Sequence, residues 1–313
     1  MIIECPDCNK KFDLDQNLIT SSGRMLQCGS CNHKWFFKLN IIEKPPKDIG
    51  MQEYAFRRST TANPFPSMMG RVCPAPCQDG CNRNDVEDYV GINGVEQYIG
   101  DQAIEEGFTF SCTDEMSGKR VAIIGGGPAG LSAAYQLRKL GHASVIFDSH
   151  AKLGGMMRYG IPSYRTPDTF LDPEIDRILQ MGHIEVKLNT YIGKDISAEN
   201  LEKDYDAVLW AIGCWTGRDL PVSNSDAPNC ISAIEYLEAF AEKRLHVTAK
   251  KVVCVGGGDT SIDVVCSSRR MGTLKASLPE DAPTATPTDA PPGRGVKSVG
   301  AQVETAGAQV ESA

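Results

Sequence analysis

At 313 residues, the chain is long enough for two or three domains, and its 41% hydrophobic residues can supply a core. A formal net charge of −8 and a pI near 5.2 argue against a protein that binds nucleic acid or a membrane surface. The N-terminus lacks the apolar segment of a signal peptide, and no apolar run approaches the roughly 20 residues that span a bilayer. Twelve cysteines then indicate metal or redox chemistry rather than disulfides, so we expect a cytoplasmic protein.

Two C-x-x-C pairs near the N-terminus predict a metal site. Cys5 and Cys8 form the first pair and Cys28 and Cys31 the second, separated by 19 residues. Four thiolates at this spacing suit a tetrahedral zinc site that holds together a unit too small for its own core. A redox pair or a chance spacing is the alternative, but two pairs argue against both. The segment resembles the zinc ribbons of some bacterial proteins, so we predict that residues 1–40 are a structural or docking module.

A second cysteine group follows a linker that we predict over residues 41–53. Cys73, Cys77 and Cys81 lie in the segment 54–115, four residues apart and interrupted by prolines. This pattern fits an irregular loop around an iron–sulfur cluster better than a zinc knuckle, and structural or exposed cysteines are the alternative. Such a cluster needs four thiolates or near substitutes, and the segment offers only three.

The stretch VAIIGGGPAG, residues 121–130, has the pattern of a strand, a glycine turn and a helix. Its G-x-G-x-x-G glycines suit a tight turn, a close approach of the backbone to a pyrophosphate, and close packing of the helix on the strand. The helix would direct free N–H groups at that pyrophosphate. The residues assigned to this fingerprint are Gly125, Gly127, Pro128, Ala129 and Gly130.

A second strand, ASVIFD, ends in Asp148, at the position where an acid accepts a ribose hydroxyl. An ordinary glycine turn is the alternative, but strand, helix and acid together predict a dinucleotide site in residues 116–250. A helix over residues 170–181 and a strand over 184–190 are expected to follow. Two further glycine motifs, LGGMM and AIG, contribute the cofactor-binding candidates Gly154, Gly155, Met156 and Gly213.

Residues 251–275 predict the start of a second nucleotide-binding domain. A strand at 251–255 is followed by G-x-G-x-x-S and an apolar helix ending near Met271, and residues 273–278 could be the stub of a further strand. The candidate binding residues here are Gly256, Gly258, Asp259, Thr260 and Ser261. Residues 276–313 have no aromatic side chain and are rich in proline, alanine and threonine, so we predict a disordered tail.

Six motifs within residues 54–273 resemble, in order, the small-subunit family of glutamate synthase and related flavoprotein oxidoreductases: NPFPSMMGRVCPAPCQDGCNR, VGINGVEQYIGDQAIEEG, SGKRVAIIGGGPAGLSAAYQL, LGGMMRYGIPSYR, YDAVLWAIG and VVCVGGGDTSIDVV. The resemblance implies FAD at the first fingerprint and NAD(P)H at the second, with electrons passing to a catalytic large subunit or another acceptor protein. It also implies Cys73, Cys77 and Cys81 as ligands of [4Fe–4S] clusters, with Glu96 near the position of a non-cysteine ligand. No catalytic side chain is expected, since the cofactors carry the chemistry.

The chain departs from this family at both ends. The ribbon-like unit stands where an earlier cysteine segment would complete the clusters, and the second nucleotide domain breaks off, so the chain resembles a truncated member. We therefore predict an α/β protein with a Rossmann-like, incomplete FAD/NAD(P)-binding domain, preceded by a zinc ribbon and a cysteine-bearing helical segment. The alternative function is a non-catalytic protein whose zinc ribbon docks to a partner.

Overall fold

The computed structural model describes residues 2–13, 24–37, 50–87, 90–217, 221–245 and 251–277. The chain divides into two compact units, residues 1–50 and 51–313. A helix already begins at Met51, so the predicted linker 41–53 extended too far. The tail predicted to be disordered lies, from residue 278 onward, outside the described residues. Within the described ranges, no helix combines the length and apolar character needed to cross a membrane.

The first unit consists of two antiparallel two-stranded sheets, β1 (Ile2–Glu4) with β2 (Lys11–Asp13) and β3 (Arg24–Gln27) with β4 (Lys34–Phe37). Among its described side chains, only Ile3, Cys5 and Cys28 are buried. Apolar burial at roughly 25 cal/mol per Å² therefore contributes little to the stability of this unit.

The second unit is built on a four-stranded parallel sheet. Its strands are β5 (Arg120–Ile124), β6 (Ala143–Phe147), β7 (Ile184–Lys187) and β8 (Ala207–Trp210). They lie in the order β7-β6-β5-β8. The sequences of β5 and β6 are almost continuously apolar because the central strands of a parallel sheet are covered on both faces. The parallel α/β architecture predicted for this region is confirmed, although the strand predicted over 184–190 ends at Lys187.

Helices precede the sheet and cover its faces. The helices are α1 (Met51–Ser59), α2 (Pro66–Val72), α3 (Pro76–Asp79), α4 (Ile92–Glu105), α5 (Pro128–Lys139), α6 (Met156–Tyr159), α7 (Asp168–Leu179), α8 (Ala198–Asp204), α9 (Ala233–Ala241) and α10 (Asp259–Ser277), with a 3₁₀ helix at Asn82–Asp85. The main core lies between the sheet, α5 and α7, and it includes Met68 from α2. A smaller core lies on the other face, beneath Leu201 of α8.

Two predictions for the C-terminal part are wrong. Residues 251–255 do not form a strand, and the side chain of Val253 is 79% exposed. A parallel strand forms only where a neighbour pairs with it, and no described strand lies beside this run. The suggested strand at 273–278 is also incorrect, since α10 continues to Ser277.

Helices α2 and α4 cross in close contact through glycines. A Cβ atom on Gly100 would lie 2.5 Å from the Cα atom of Ser67, and one on Gly70 would lie 2.5 Å from the Cα atom of Gln97. Since both obstacles are backbone atoms, neither helix can accept a larger residue without moving. The cysteines Cys73 and Cys77, which follow α2, therefore depend on this crossing for their position.

We expect Gly100→Ala to lower the free energy of unfolding by about 1–3 kcal/mol, because the added methyl group overpacks the crossing. Urea unfolding followed by circular dichroism measures the change. Gly94→Ala is the matched control, since it lies in the same helix and a Cβ there would meet nothing within 4 Å. This control should be neutral or up to about 1 kcal/mol more stable. Equal stabilities for the two variants would contradict the close crossing.

A buried carboxyl group joins α2 to the α/β domain. Glu174 of α7 is fully buried and accepts the backbone N–H groups of Ser67 and Met68 at 2.7 and 3.0 Å. Burial raises the pKa of Glu174 to about 8, against the opposing effect of these N–H groups and Arg177. The Arg177 guanidinium lies over the ring of Phe56, 4.9 Å from its centroid. These contacts fix the cysteine-bearing helices on the domain that carries the first fingerprint.

Candidate functional site

The carboxyl ends of three strands meet at one edge of the sheet. Ile124 of β5 pairs with Phe147 of β6 and with Trp210 of β8. The residues that follow these strands are Gly125, Asp148 and Ala211. In open α/β sheets, ligands bind outside the carboxyl ends of the strands, where the strand order reverses. The order β7-β6-β5-β8 places that reversal beside β5.

Three glycines at this edge, Gly125, Gly130 and Gly155, leave no room for a side chain. A Cβ on Gly130 would overlap the carbonyl oxygen of Gly125, and one on Gly125 would overlap the carbonyl oxygen of Ala211. A Cβ on Gly155 would lie 2.6 Å from the Cα atom of Gly127. Gly127 differs, because a Cβ there would lie 3.6 Å from its nearest neighbour, an ordinary contact. The fold therefore requires glycine at Gly125, Gly130 and Gly155. At Gly127, by contrast, there is open space beside the backbone.

The glycine turn leads directly into the first turn of α5. Pro128 is the first residue of this helix, and Gly127 caps it in an extended conformation without a side-chain hydrogen bond. The N–H groups of the first turn therefore have no side-chain cap. The loop at Gly154 lies against the turn, with its N–H donating to the carbonyl oxygen of Gly126 at 2.8 Å. A phosphate group fits this arrangement of open backbone and helix N-terminus.

Asp148 is bound within the chain at this edge. One carboxylate oxygen accepts the N–H of Gly126 at 2.7 Å, and the other accepts the N–H of His150 at 2.8 Å. Burial alone would raise the pKa of Asp148, but the bonds from His150 and Gly126 hold it below its usual value. The carboxylate therefore braces the glycine turn, in addition to the ribose contact predicted for it.

His150 links this carboxylate to α9. Its Nδ1 lies 3.0 Å from Asp148 and its Nε2 lies 3.2 Å from Glu238. The ring stacks on Trp215 at a centroid distance of 4.5 Å and an angle of 25°, and it also contacts Tyr159. Burial lowers the pKa of His150, but the two carboxylates raise it more, to about 9. The imidazole is thus held as a cation between two acids.

We expect this link to make stability depend on pH. The pKa of His150 rises from 6.5 to about 9 on folding. Its contribution is therefore complete below pH 6.5 and is lost as the pH rises through 9, with a total on the order of 3 kcal/mol. His150→Gln should remove this pH dependence in urea unfolding measured at several pH values. A wild-type minus variant difference that does not change between these pH values would contradict it.

The second fingerprint forms a separate turn before α10. The N–H of Ser261 donates to the carbonyl oxygen of Gly258 at 2.9 Å, and a Cβ on Gly256 would lie 2.5 Å from the hydroxyl oxygen of Ser261. A Cβ on Gly258 would meet nothing within 4 Å. The turn therefore has an open side next to the N-terminus of a long helix, which suits a second phosphate group.

The three cysteines of the helical segment lie on successive turns of the chain. Cys73 follows α2, Cys77 is within α3, and Cys81 precedes the 3₁₀ helix. Cys73 and Cys77 are exposed and Cys81 is half-buried. Glu96 lies on α4, where it accepts a hydrogen bond from Asn63 at 2.7 Å. Three thiolates are one short of the four that a [4Fe–4S] cluster requires, so a cluster here would need a further ligand such as Glu96 or a group from outside the segment.

The four ribbon cysteines come together. Their sulfur atoms all lie within 4.8 Å of one another, with Cys5 to Cys31 at 3.7 Å and Cys8 to Cys28 at 3.6 Å. Zinc–sulfur bonds of about 2.3 Å in a tetrahedron place the sulfur atoms about 3.8 Å apart, so the cluster can hold a metal ion of this kind. Within the described ranges, this is the one group of three or more metal-binding side chains at such distances.

The two ribbon knuckles repeat one backbone pattern. In the first knuckle, the backbone N–H of Cys5 donates to the carbonyl oxygen of Lys10, and the N–H of Asn9 donates to that of Cys5. In the second, the N–H of Cys28 donates to the carbonyl oxygen of His33, and the N–H of Asn32 donates to that of Cys28. Both asparagines have positive φ angles, of 56° and 61°. Burial raises the pKa of the Cys28 thiol, but the N–H groups of Cys31 and Ser30 and the neighbouring thiols lower it more, to about 6. Against the N–H of His33, burial and the neighbouring thiols raise the pKa of Cys31 to about 12, so Cys28 is the thiolate of this pair. A thiolate at neutral pH is the form that binds metal.

Most residues predicted for the first site lie together at the edge of the sheet. Met156 begins α6 directly after Gly155. Gly213 comes two residues after Ala211, whose carbonyl oxygen lies beside Gly125. The prediction missed His150 and Glu174. Glu174 had a detectable signal, since it falls on the apolar stripe of its helix between Leu171 and Ile178.

Comparison with known proteins gives matches for both units. A family model described as pyridine nucleotide-disulphide oxidoreductase matches residues 119–292, more than half of the chain, and a zinc-ribbon domain model matches residues 1–36. The NADH glutamate synthase of Schizosaccharomyces pombe is 41% identical over 67% of this chain and 10% of its own length. The NADPH glutamate synthase small chain of Escherichia coli is 37% identical over 80% of this chain and 56% of its own. The structure of Mycobacterium tuberculosis FprA in complex with NADPH aligns with 47% of this chain and 35% of its own, at 21% identity and a TM-score of 0.43.

The chain thus spans about half the length of the Escherichia coli small chain. The predicted resemblance to glutamate synthase small subunits is confirmed, as is a zinc ribbon at the N-terminus. The parallel sheet, the glycine turn at its edge and the match of the family model agree with one another. The chain belongs to the pyridine nucleotide-disulphide oxidoreductase family.

Proposed function

We propose that this chain binds FAD at the first fingerprint. The observation that carries the proposal is the glycine-lined edge of the sheet, where Gly127 leaves space above the backbone beside the N-terminus of α5. The pyrophosphate would lie on this turn, and Asp148 would accept a ribose hydroxyl through a remaining lone pair. Gly154, Gly155, Met156 and Gly213 would lie along the rest of the cofactor.

The second fingerprint is the proposed site for NAD(P)H. The open turn at Gly256 and Gly258 and the helix that begins at Asp259 support it. When bound, FAD can accept a hydride from a nicotinamide and release electrons one at a time. The side chains and backbone of this protein would bind and orient the two nucleotides and need not transfer a proton themselves.

An electron-acceptor protein is the proposed partner. Relatives named as small chains of glutamate synthase support a catalytic large subunit in this role. Cys73, Cys77 and Cys81 would supply three of the four ligands of a cluster through which the electrons would pass. Cys73 and Cys77 are exposed, where a further ligand from outside the segment could reach them.

For the ribbon we propose zinc as the metal, held by Cys5, Cys8, Cys28 and Cys31. The sulfur–sulfur distances near 3.7 Å support this choice. Such a site needs reduced cysteines, which fits the cytoplasm. As a second candidate function, the ribbon could serve as a docking module without catalysis by the rest of the chain. The exposed cross-strand pair Met25 and Phe36 favours it.

The ultraviolet–visible spectrum of the anaerobically purified protein, before and after addition of NADPH, tests the proposed function. We expect a flavin spectrum that NADPH bleaches. A protein that stays colourless even after incubation with FAD would contradict the flavin site and leave docking by the ribbon as the function. A flavin spectrum that neither NADPH nor NADH bleaches would contradict the second site alone.

A further inference from the structure

Helix α10 carries the second fingerprint at its N-terminus and is held on one side by α9. The hydroxyl groups of Tyr236 and Ser268 lie 2.7 Å apart, and both side chains are buried. Leu237 and Val264 complete a small apolar cluster between the two helices. This side of α10 therefore has the packing of an ordinary helix pair.

The other attachment of α10 is polar and comes from the loop between α6 and α7. Arg165 donates to the carboxylate of Asp263 at 2.7 Å, and Asp263 is only 4% exposed. Arg270, seven residues further along α10, lies over the ring of Tyr164 at 3.6 Å from its centroid. Residues seven apart share one face of a helix, so two adjacent loop residues hold the same face at two points.

This loop is also fixed to the first site. The chain runs from Gly155, which contacts Gly127 of the first fingerprint, through α6 to Tyr164 and Arg165. Thr166 is buried, and its hydroxyl donates to the carbonyl oxygen of Met157 at 3.1 Å. A short and well-bonded segment therefore joins the glycine turn of the first site to the helix of the second.

We propose that Arg165 is a positioning residue that, through Asp263, sets the orientation of the second dinucleotide site relative to the first. This inference rests on the proposed function. In that reaction NAD(P)H loses a hydride and becomes NAD(P)⁺, while the flavin gains the hydride, takes a proton from solvent and becomes fully reduced. The rate depends on the approach of the two rings, and a misplacement of about 1 Å can reduce a rate about 100-fold.

Arginine suits this role because its partner is buried. Removing one member of a buried ion pair leaves the other charge without compensation, so the helix would shift toward solvent to hydrate Asp263. The contacts that Tyr236 of α9 makes with α10 would remain and keep α10 folded. Loss of Arg165 should therefore misplace the helix rather than unfold it.

The test compares Arg165→Gln and Arg165→Lys in the full chain. Stopped-flow absorbance at saturating NADPH gives the rate of flavin reduction, and titration with NADP⁺ gives its Kd. For Arg165→Gln we expect a fall in rate of about 10-fold or more, a change in Kd below about 3-fold and unchanged FAD content, with Arg165→Lys recovering most of the rate. Arg244→Gln is the matched control, since Arg244 pairs with Glu242 within its own segment and should not alter the rate.

Hydrogen–deuterium exchange of the cofactor-free protein provides a readout that does not depend on turnover. Peptides covering Asp259 to Met271 should exchange faster in Arg165→Gln than in wild type, while α9 should not change.

If the wild type is reduced by NADPH and Arg165→Gln is reduced equally fast, the positioning role is wrong and the proposed function stands. If the wild type binds FAD but neither nicotinamide reduces it, the second site and the positioning role that rests on it are both wrong, and the FAD site stands. A parallel loss of rate and NADP⁺ affinity would also overturn the positioning role, because it would indicate a direct binding role.

Discussion

Gly127→Ala should abolish flavin binding while leaving the fold intact. Gly127 has an extended conformation that any residue can adopt, with φ −78° and ψ −174°. A Cβ there meets only an ordinary contact at 3.6 Å. The methyl group would instead project into the space proposed for the pyrophosphate, which must approach the backbone closely. We expect at least about 100-fold weaker FAD binding, equivalent to about 2.8 kcal/mol, measured by fluorescence titration of the apoprotein.

Two further glycine variants make this experiment decisive. Gly94→Ala, at an open position in α4, should keep wild-type flavin affinity and should not lower stability. Gly130→Ala should reduce stability itself, because its methyl group would overlap the carbonyl oxygen of Gly125. Unchanged flavin affinity in a folded Gly127→Ala protein would show that the cofactor does not lie on this turn.

Removal of the metal should unfold the ribbon and nothing else. Among its described side chains, only Ile3 and two of the cysteines are buried, so a metal held by the four thiolates would supply most of its support. Apparent zinc-binding free energies of about 10–16 kcal/mol in zinc-finger peptides greatly exceed what this small core could provide. After chelation, the NMR signals of residues 1–40 should collapse to the dispersion of an unfolded chain. The signals of the second compact unit should remain.

Cysteine variants identify the ligands in the same experiment. Cys28→Ser should lose the metal, measured as zinc per chain by mass spectrometry, and should show the ribbon signals of the chelated protein. Cys230→Ser should keep both, since Cys230 is an exposed thiol of the second unit. Ribbon signals that survive complete removal of the metal would contradict the thiolate site.

The elements that could be predicted share a local cause. The first fingerprint was readable because an apolar strand, three spaced glycines and an amphipathic helix each leave a pattern in adjacent residues. The ribbon was readable because two C-x-x-C pairs carry their own turn geometry, including the asparagines Asn9 and Asn32 with positive φ. Both patterns describe how a short segment folds and need no knowledge of distant residues.

The wrong predictions concern elements that need distant partners. The run VVCV has the composition of a buried strand, but a strand becomes regular only when another strand pairs with it, and none of the described strands does so. The composition of this run therefore predicted a strand that the structure lacks.

The three cysteines Cys73, Cys77 and Cys81 could be recognised as a motif from the sequence. The complete set of ligands for a cluster, however, depends on residues outside the motif.

By itself, the sequence determined the class of the domain, the two glycine turns and the four ribbon thiols, because each follows from residues close together in the chain. Only the tertiary structure decided which ionisable side chains are buried and paired. Glu174 bonds to the N-terminus of α2 across 107 residues, and Arg165 bonds to Asp263 across 98. An ionisable side chain is buried only where packing brings it a partner, and that packing is a property of the whole fold.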